Sequence, residues 1–157
     1  MNEIFDQVRL AALKQFGASM IFVNDENKVL LFLRDDCEHI NCPNMWDILG
    51  GQIEANETPE ECIVREIKEE IGLNLTDFHL FEQREFSDRI EFTFWKRQNI
   101  AIESITLTEG QTLRWFTRLE AQTTPLAFGF NSTIERFFEK ATMEEKDEEK
   151  GTNLYSQ

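Results

Sequence analysis

Apolar and polar positions fall in blocks along this chain, and the blocks predict a run of strands around one strongly marked helix. From Ala18 the order is apolar, polar, apolar: ASMIFV, then NDENK, then VLLFLR. The Asn- and Asp-rich middle predicts a hairpin turn over Asn24–Lys28 between two strands. Further on, FHLFEQREF and IEFTFW predict two more strands with Ser87, Asp88 and Arg89 at the turn. In IEFTFW the alternation of Ile90, Phe92 and Phe94 predicts one buried face and one open face. AIESITL predicts a further, weaker strand, and TLRWFT another, with Trp115 and Phe116 as packing residues.

Helical spacing appears in three places. Ile4, Val8 and Ala12 suggest a short helix over residues 3–13. FNSTIERFFEKA predicts a final helix, with Asn131 or Ser132 at its cap and Ile134, Phe137 and Phe138 inward. The best-marked helix begins at Thr58. Thr58 suits the N-cap, Pro59 the first turn, and Glu61 stands three residues after the cap. Gly72 suits the left-handed residue that ends it. Ile63, Ile67 and Ile71 repeat every four residues and form its buried stripe. Beside that stripe, Glu66, Glu69 and Glu70 share one side of the helix. Like charges at these spacings repel by roughly 0.2–0.5 kcal/mol per pair, so the cluster points to a divalent cation.

Composition narrows the picture. With 157 residues, 41% hydrophobic and 14 of them phenylalanine, the chain can bury a core as one α/β (α+β) domain over residues 1–140. Residues 141–157 read as an acidic, flexible tail. A net charge of −14 argues against a broad grip on nucleic acid, although a polyphosphate can still bind through metal ions. No apolar run approaches bilayer length and no signal peptide is evident, so no membrane partner is expected. Three cysteines leave one unpaired in any disulfide scheme, which makes a reducing cytoplasm the expected compartment. Cys37, His39 and Cys42 read as ordinary loop residues, since a structural zinc site needs four ligands and no second set is evident.

From Gly51 the chain reads G-x5-E-x7-R-E-I-K-E-E-I-G-L, carried by Gly51, Glu57, Arg65, Glu66, Ile67, Glu69, Glu70, Gly72 and Leu73. This resembles the Nudix box at every specified position, a match expected by chance at fewer than roughly one start in ten million. The resemblance extends over most of residues 18–140 and implies a Nudix-type α/β/α sandwich with a central mixed sheet. It also implies hydrolysis of a nucleoside diphosphate linked to another moiety, with Mg²⁺ or Mn²⁺ held by carboxylates. On that reading the Gly50 carbonyl, Glu66, Glu69 and Glu70 hold metal. Glu66 or Glu69 helps to deprotonate water, while Arg65, pairing with Glu69 or Glu57, fixes the carboxylates. Gly51, Glu57 and Gly72 are structural members of the box. Leu49 stands where the family usually has proline, which implies a less rigid loop entry.

In detail the chain is similar to MutT-type nucleoside triphosphate pyrophosphohydrolases, some of which act on 8-oxo-dGTP. Glu109-Gly110-Gln111 resembles a segment that supplies a further metal-binding glutamate. Phe86-Ser87-Asp88-Arg89 resembles a stretch whose arginine lies by the purine, and Phe130-Asn131 the place of an asparagine at the base edge. Arg34 stands where a phosphate-contacting arginine is expected. The bland readings are a turn carboxylate for Glu109, a surface charge for Arg89, a helix cap for Asn131, and core packing for Trp46 and Phe86. The substrate expected is a small nucleotide. The alternatives are an ADP-ribose or nucleotide-sugar pyrophosphatase and a catalytically silent nucleotide-sensing module.

Overall fold

The computed structural model describes residues 15–141. The helix expected over 3–13 and the tail from 142 onward lie outside the described residues. Strand β1 (Gln15–Val23) is the axis of a seven-stranded mixed sheet whose main order is β3-β2-β1-β6-β5. Along one edge, all nine residues of β1 pair in parallel with β6 (Arg89–Arg97). The other edge is divided. Gly17–Met20 pair with β4 (Leu49–Gln52), and Val23 pairs with β2 (Val29–Leu33) across the Asn24 turn. Asn24 closes that turn by accepting from the Glu26 and Lys28 amides at 3.0 and 2.9 Å. Strands β3 (Trp46–Asp47) and β7 (Thr112–Phe116) flank β2, and β5 (His79–Glu85) closes the far edge against β6.

Because β1 is apolar at consecutive positions, it can face two layers. Ala18, Met20 and Phe22 pack under helix α1 (Pro59–Ile71) with Ile63, Ile67 and Ile71. Ile21 and Val23 face the other way. There they meet Ile134, Phe137 and Phe138 of the last helix, α3 (130–141), and Ala121 of α2 (Arg118–Thr123). The α/β/α sandwich with its mixed sheet is therefore the fold. No helix among the described residues is long and apolar enough to cross a membrane.

Three expectations change in the structure. The segment AIESITL is no strand: it forms a short 3-10 turn at Ile102–Ser104, closed by the Ser104 hydroxyl on the Ala101 carbonyl at 2.7 Å. Ile100, Ile102, Ile105 and Leu107 still pack on the core, but their spacing slips and cannot sustain a period of two. Strand β6 has no open face in its centre, since Glu91 and Thr93 are buried as well as Phe94. Helices cover both sides of the sheet, so alternation alone misjudged that strand. Asn131, finally, lies within the first turn of α3 and does not cap it. Its side chain accepts from the Leu126 amide at 2.8 Å and donates to the Ala121 and Thr124 carbonyls at 3.2 and 2.8 Å.

Phe116 is fully buried, whereas Leu119, three residues on, is 68% exposed. Phe116→Ala is expected to cost about 3–5 kcal/mol, and Leu119→Ala less than about 0.5 kcal/mol. Urea unfolding of the two variants checks this division of the layer.

Candidate active site

Helix α1 is fixed at both ends as its sequence predicts. Thr58 accepts from the Glu61 amide at 3.1 Å, and Gly72, at φ +71°, returns its N–H to the Lys68 carbonyl at 3.0 Å. With Ile63, Ile67 and Ile71 inward, the flank carrying Glu66 and Glu70 lies against β4. The strand has no side chains there. A Cβ on Gly51 would stand 2.3 Å from the Glu66 carboxylate, and one on Gly50 would stand 2.1 Å from the Ala18 carbonyl oxygen. Gly50, at φ +150°, also donates its N–H to Glu70 Oε2 at 3.2 Å. Leu49, in the position where the resemblance implies proline, is buried in β4 opposite Met20.

Arg65 ties the carboxylates together. It forks onto Glu57, with Nε to Oε2 at 2.7 Å and NH2 to Oε1 at 2.9 Å. Its NH1 reaches Glu66 Oε1 at 2.9 Å and Glu69 Oε2 at 3.2 Å, and NH2 donates to the Gln52 carbonyl at 3.3 Å. Of the two partners proposed for it, Arg65 holds both. These bonds hold the Glu57 carboxyl down at about 2 and push the guanidinium pKa up.

Glu66 and Glu70 have shifts of the opposite sign. Burial raises Glu66, against the pull of Arg65. Burial, together with the charge of Glu66, pushes Glu70 up to about 9, because a single backbone N–H opposes both effects. Glu109 lies near enough for its charge to raise both. Its loop is moored to the helix by the Thr108 hydroxyl, which donates to the Glu69 carbonyl at 2.7 Å. Gln111 moors the other side, donating to the Arg34 carbonyl at 2.8 Å and to Asn44 at 2.9 Å. Carboxylate oxygens carrying more negative charge than Arg65 can balance form a donor set that suits a hard divalent cation. They are not gathered into a closed cage: among the described residues no group of three or more His, Cys, Asp or Glu is placed to hold a metal ion.

Next to the glycine strand lies a cavity of about 390 Å³. Arg34 and Arg89, both expected at a substrate, line it, and each is paired with a buried carboxylate that the sequence reading passed over. Arg34 NH1 meets Asp47 at 3.0 Å, and Arg89 Nε meets Glu91 at 2.9 Å. Burial raises the Asp47 carboxyl to about 6 and Glu91 above its ordinary value, with the arginines pulling the other way. Arg89 also stacks over the Phe86 ring at 4.2 Å and donates to the Phe128 carbonyl at 2.9 Å. Phe128 and Phe130 line the cavity, whereas Asn131, bound to its own loop, does not. Trp46 packs edge-on against Phe116, 4.9 Å between centroids, in the second core layer. Asp47 and Glu91 each interrupt an apolar run, WDIL and IEF, and that interruption was the signal available for them.

In the folded protein the Glu70 carboxyl is pushed up to about 9, whereas an unfolded chain leaves it in the ordinary carboxylate range. Folded Glu70 thus binds the extra proton across that window, and its contribution to stability falls as pH rises through it. In chelator-treated protein, Glu70→Gln is expected to raise the thermal midpoint at pH 8 and flatten its decline between about 5 and 9. Thermal unfolding across a pH series checks this.

Comparison with known proteins agrees with the site. A family model described as the NUDIX domain matches residues 13–137. The 8-oxo-dGTP diphosphatase of Escherichia coli (strain K12) is 40% identical over 78 residues, covering 48% of this chain and 59% of that protein. The CTP pyrophosphohydrolase of the same organism is 28% identical over 118 residues, covering 73% and 85%. The chain spans less than two thirds of the length of the 8-oxo-dGTP diphosphatases from Escherichia coli and Proteus vulgaris. Among solved structures, a mutT/nudix family protein from Listeria innocua superposes with a TM-score of 0.68 at 22% identity, covering 83% of this chain and 95% of that one, a likeness of fold. Box, fold and family model coincide over the same residues, and the chain belongs to the Nudix domain family.

Proposed function

We propose that this chain hydrolyses a nucleoside triphosphate to the monophosphate and pyrophosphate, with Mg²⁺ (or Mn²⁺ in its place) as the cation. The observation that carries the reading is the adjacency of two unlike sites. The surplus carboxylates of α1 lie against Gly50 and Gly51, and those glycines also line the cavity bounded by Arg34, Arg89, Phe128 and Phe130. A polyphosphate needs the first site, and a nucleoside the second. The names of the relatives, an 8-oxo-dGTP diphosphatase and a CTP pyrophosphohydrolase, agree with a triphosphate substrate.

Family members generally depend on divalent metal. Here Glu66, Glu69, Glu70, Glu109 and the Gly50 carbonyl are the groups that would hold it. When bound, a divalent cation supplies charge neutralisation on the phosphates and a more acidic water. The chain does the rest. Arg65 holds Glu66 and Glu69 in place, and one of these two accepts the proton of the attacking water. Glu69, with 58% of its side chain exposed, can reach solvent, whereas Glu66 is 16% exposed and pressed on Gly51. Arg34 and Arg89 supply positive charge beside the phosphates and the base. Water adds across the P–O–P bridge between the α- and β-phosphorus, one product gaining its hydroxyl and the other keeping the bridging oxygen.

The ADP-ribose and nucleotide-sugar alternatives are not favoured by these relatives, nor is a silent sensor favoured by a box with every carboxylate in place. The three free cysteines accord with a cytoplasmic protein.

Incubation with Mg²⁺ and a panel of nucleoside triphosphates, 8-oxo-dGTP, ADP-ribose and nucleotide sugars separates the readings. Release of pyrophosphate and a monophosphate from triphosphates alone is expected. Glu66→Gln should retain the folded far-UV spectrum and lose on the order of 10²-fold or more in kcat. Turnover confined to the sugar compounds would overturn the proposal.

A further inference from the structure

Glu91 is 5% exposed in the middle of β6, where neighbouring positions are apolar. Burying a carboxylate costs several kcal/mol unless it is paired and hydrogen-bonded. An apolar side chain would pack this site at least as well, so the fold does not require an acid there. Yet the structure accommodates it from three sides. Gly17 of β1 stands in register with Glu91, and a Cβ there would come within 2.4 Å of Glu91 Oε1 and 3.0 Å of Oε2. Arg89 donates Nε to Oε1 at 2.9 Å while its NH2 and its stacking on Phe86 hold it in place. The Ser19 hydroxyl, 2.9 Å from that of Thr93, is close enough to favour the charged carboxylate.

Arg89 occupies part of an acceptor capacity of about four lone-pair sites. The carboxylate also lines the cavity that neighbours Gly50 and Gly51. Asp47 lines the same cavity, near enough for Glu91 to raise its pKa. This part of the cavity thus presents acceptors, and its complement is an N–H donor. Carboxylates read exocyclic amino groups of bases in this way. A keto oxygen in the same place would set acceptor against acceptor, which excludes it.

Resting on the nucleotide reading above, we infer that Glu91 is a specificity-determining residue that accepts a hydrogen bond from the exocyclic amino group of the substrate base. Amino-bearing bases are then preferred to their keto or unsubstituted counterparts. Gly17 is the positioning residue that leaves room for the carboxylate, and Arg89 orients it.

The test compares matched pairs, dCTP against dUTP and dGTP against dITP, which differ at the amino group. For the wild type, kcat/KM should favour the amino member of at least one pair by on the order of tenfold or more, mainly through KM. In Glu91→Gln, whose amide can donate as well as accept, that ratio should fall to within about threefold. Thermal unfolding establishes that the variant is folded. If it is not, Glu91→Asp, which keeps the charge but shortens its reach, should lower the ratio instead. Calorimetric binding of dCMP, dUMP, dGMP and dIMP reads the same preference without turnover. Absence of pyrophosphate release therefore overturns the hydrolase reading while this inference still stands or falls on the binding ratio. Equal constants within both pairs for the wild type, or an unchanged ratio in a folded variant, would overturn it.

Discussion

The close approach of an acidic helix flank to a strand without side chains is the constraint on which the rest of this structure depends. Gly51 leaves the space that the Glu66 carboxylate occupies, and Gly50 offers its N–H to Glu70 while lying on the Ala18 carbonyl. Neither contact survives a side chain on the strand. The approach brings like charges out of water together, and both carboxyls respond with raised pKa values. Arg65 offsets part of that cost. Its fork onto Glu57 fixes the guanidinium, leaving NH1 to bridge Glu66 and Glu69. The remaining charge is what a cation and its phosphate ligands would balance.

A second constraint, the divided edge of β1, sets the acidic helix flank beside a cavity of different character. By pairing first with β4 and then with β2, β1 places the glycine strand beside the cavity where Arg34–Asp47 and Arg89–Glu91 stand. The two ion pairs share a pattern: a buried acid with one arginine that also touches an aromatic ring. Such pairs add little net stability compared with apolar packing. Their value lies in fixed direction, since each arginine is held by its acid and its stacking partner at once. On the proposed reading the helix names a reaction, while the cavity chooses what undergoes it.

The legible parts of this fold were those encoded locally. The Thr58 cap, the isoleucine stripe and Gly72 define α1 within a few residues of one another, and the Asn24 turn is written in its own side-chain bonds. The box carboxylates were legible because their spacing serves chemistry at the expense of helix stability. What was hidden depends on partners distant in the chain. Glu91 and Thr93 looked solvent-facing because alternation in β6 carries no information about the second helical layer. Asn131 matched a capping residue by type, but its amide is taken by the loop around Thr124 and Leu126. The capping box of α2, Thr117 with Glu120, was present in the sequence, but a six-residue helix carries too little periodicity to reveal it.

Direct titration of Mn²⁺, followed by electron paramagnetic resonance of the free ion, tests the central claim most directly. Wild-type protein should remove Mn²⁺ from solution saturably, and Mg²⁺ should displace it. Folded Glu70→Gln and Gly51→Ala, one lacking a carboxylate and the other crowding Glu66, should each weaken that uptake by on the order of tenfold or more. Uptake by both variants equal to that of the wild type would contradict the account, because the cation would then lie away from the surface where α1 meets the glycine strand.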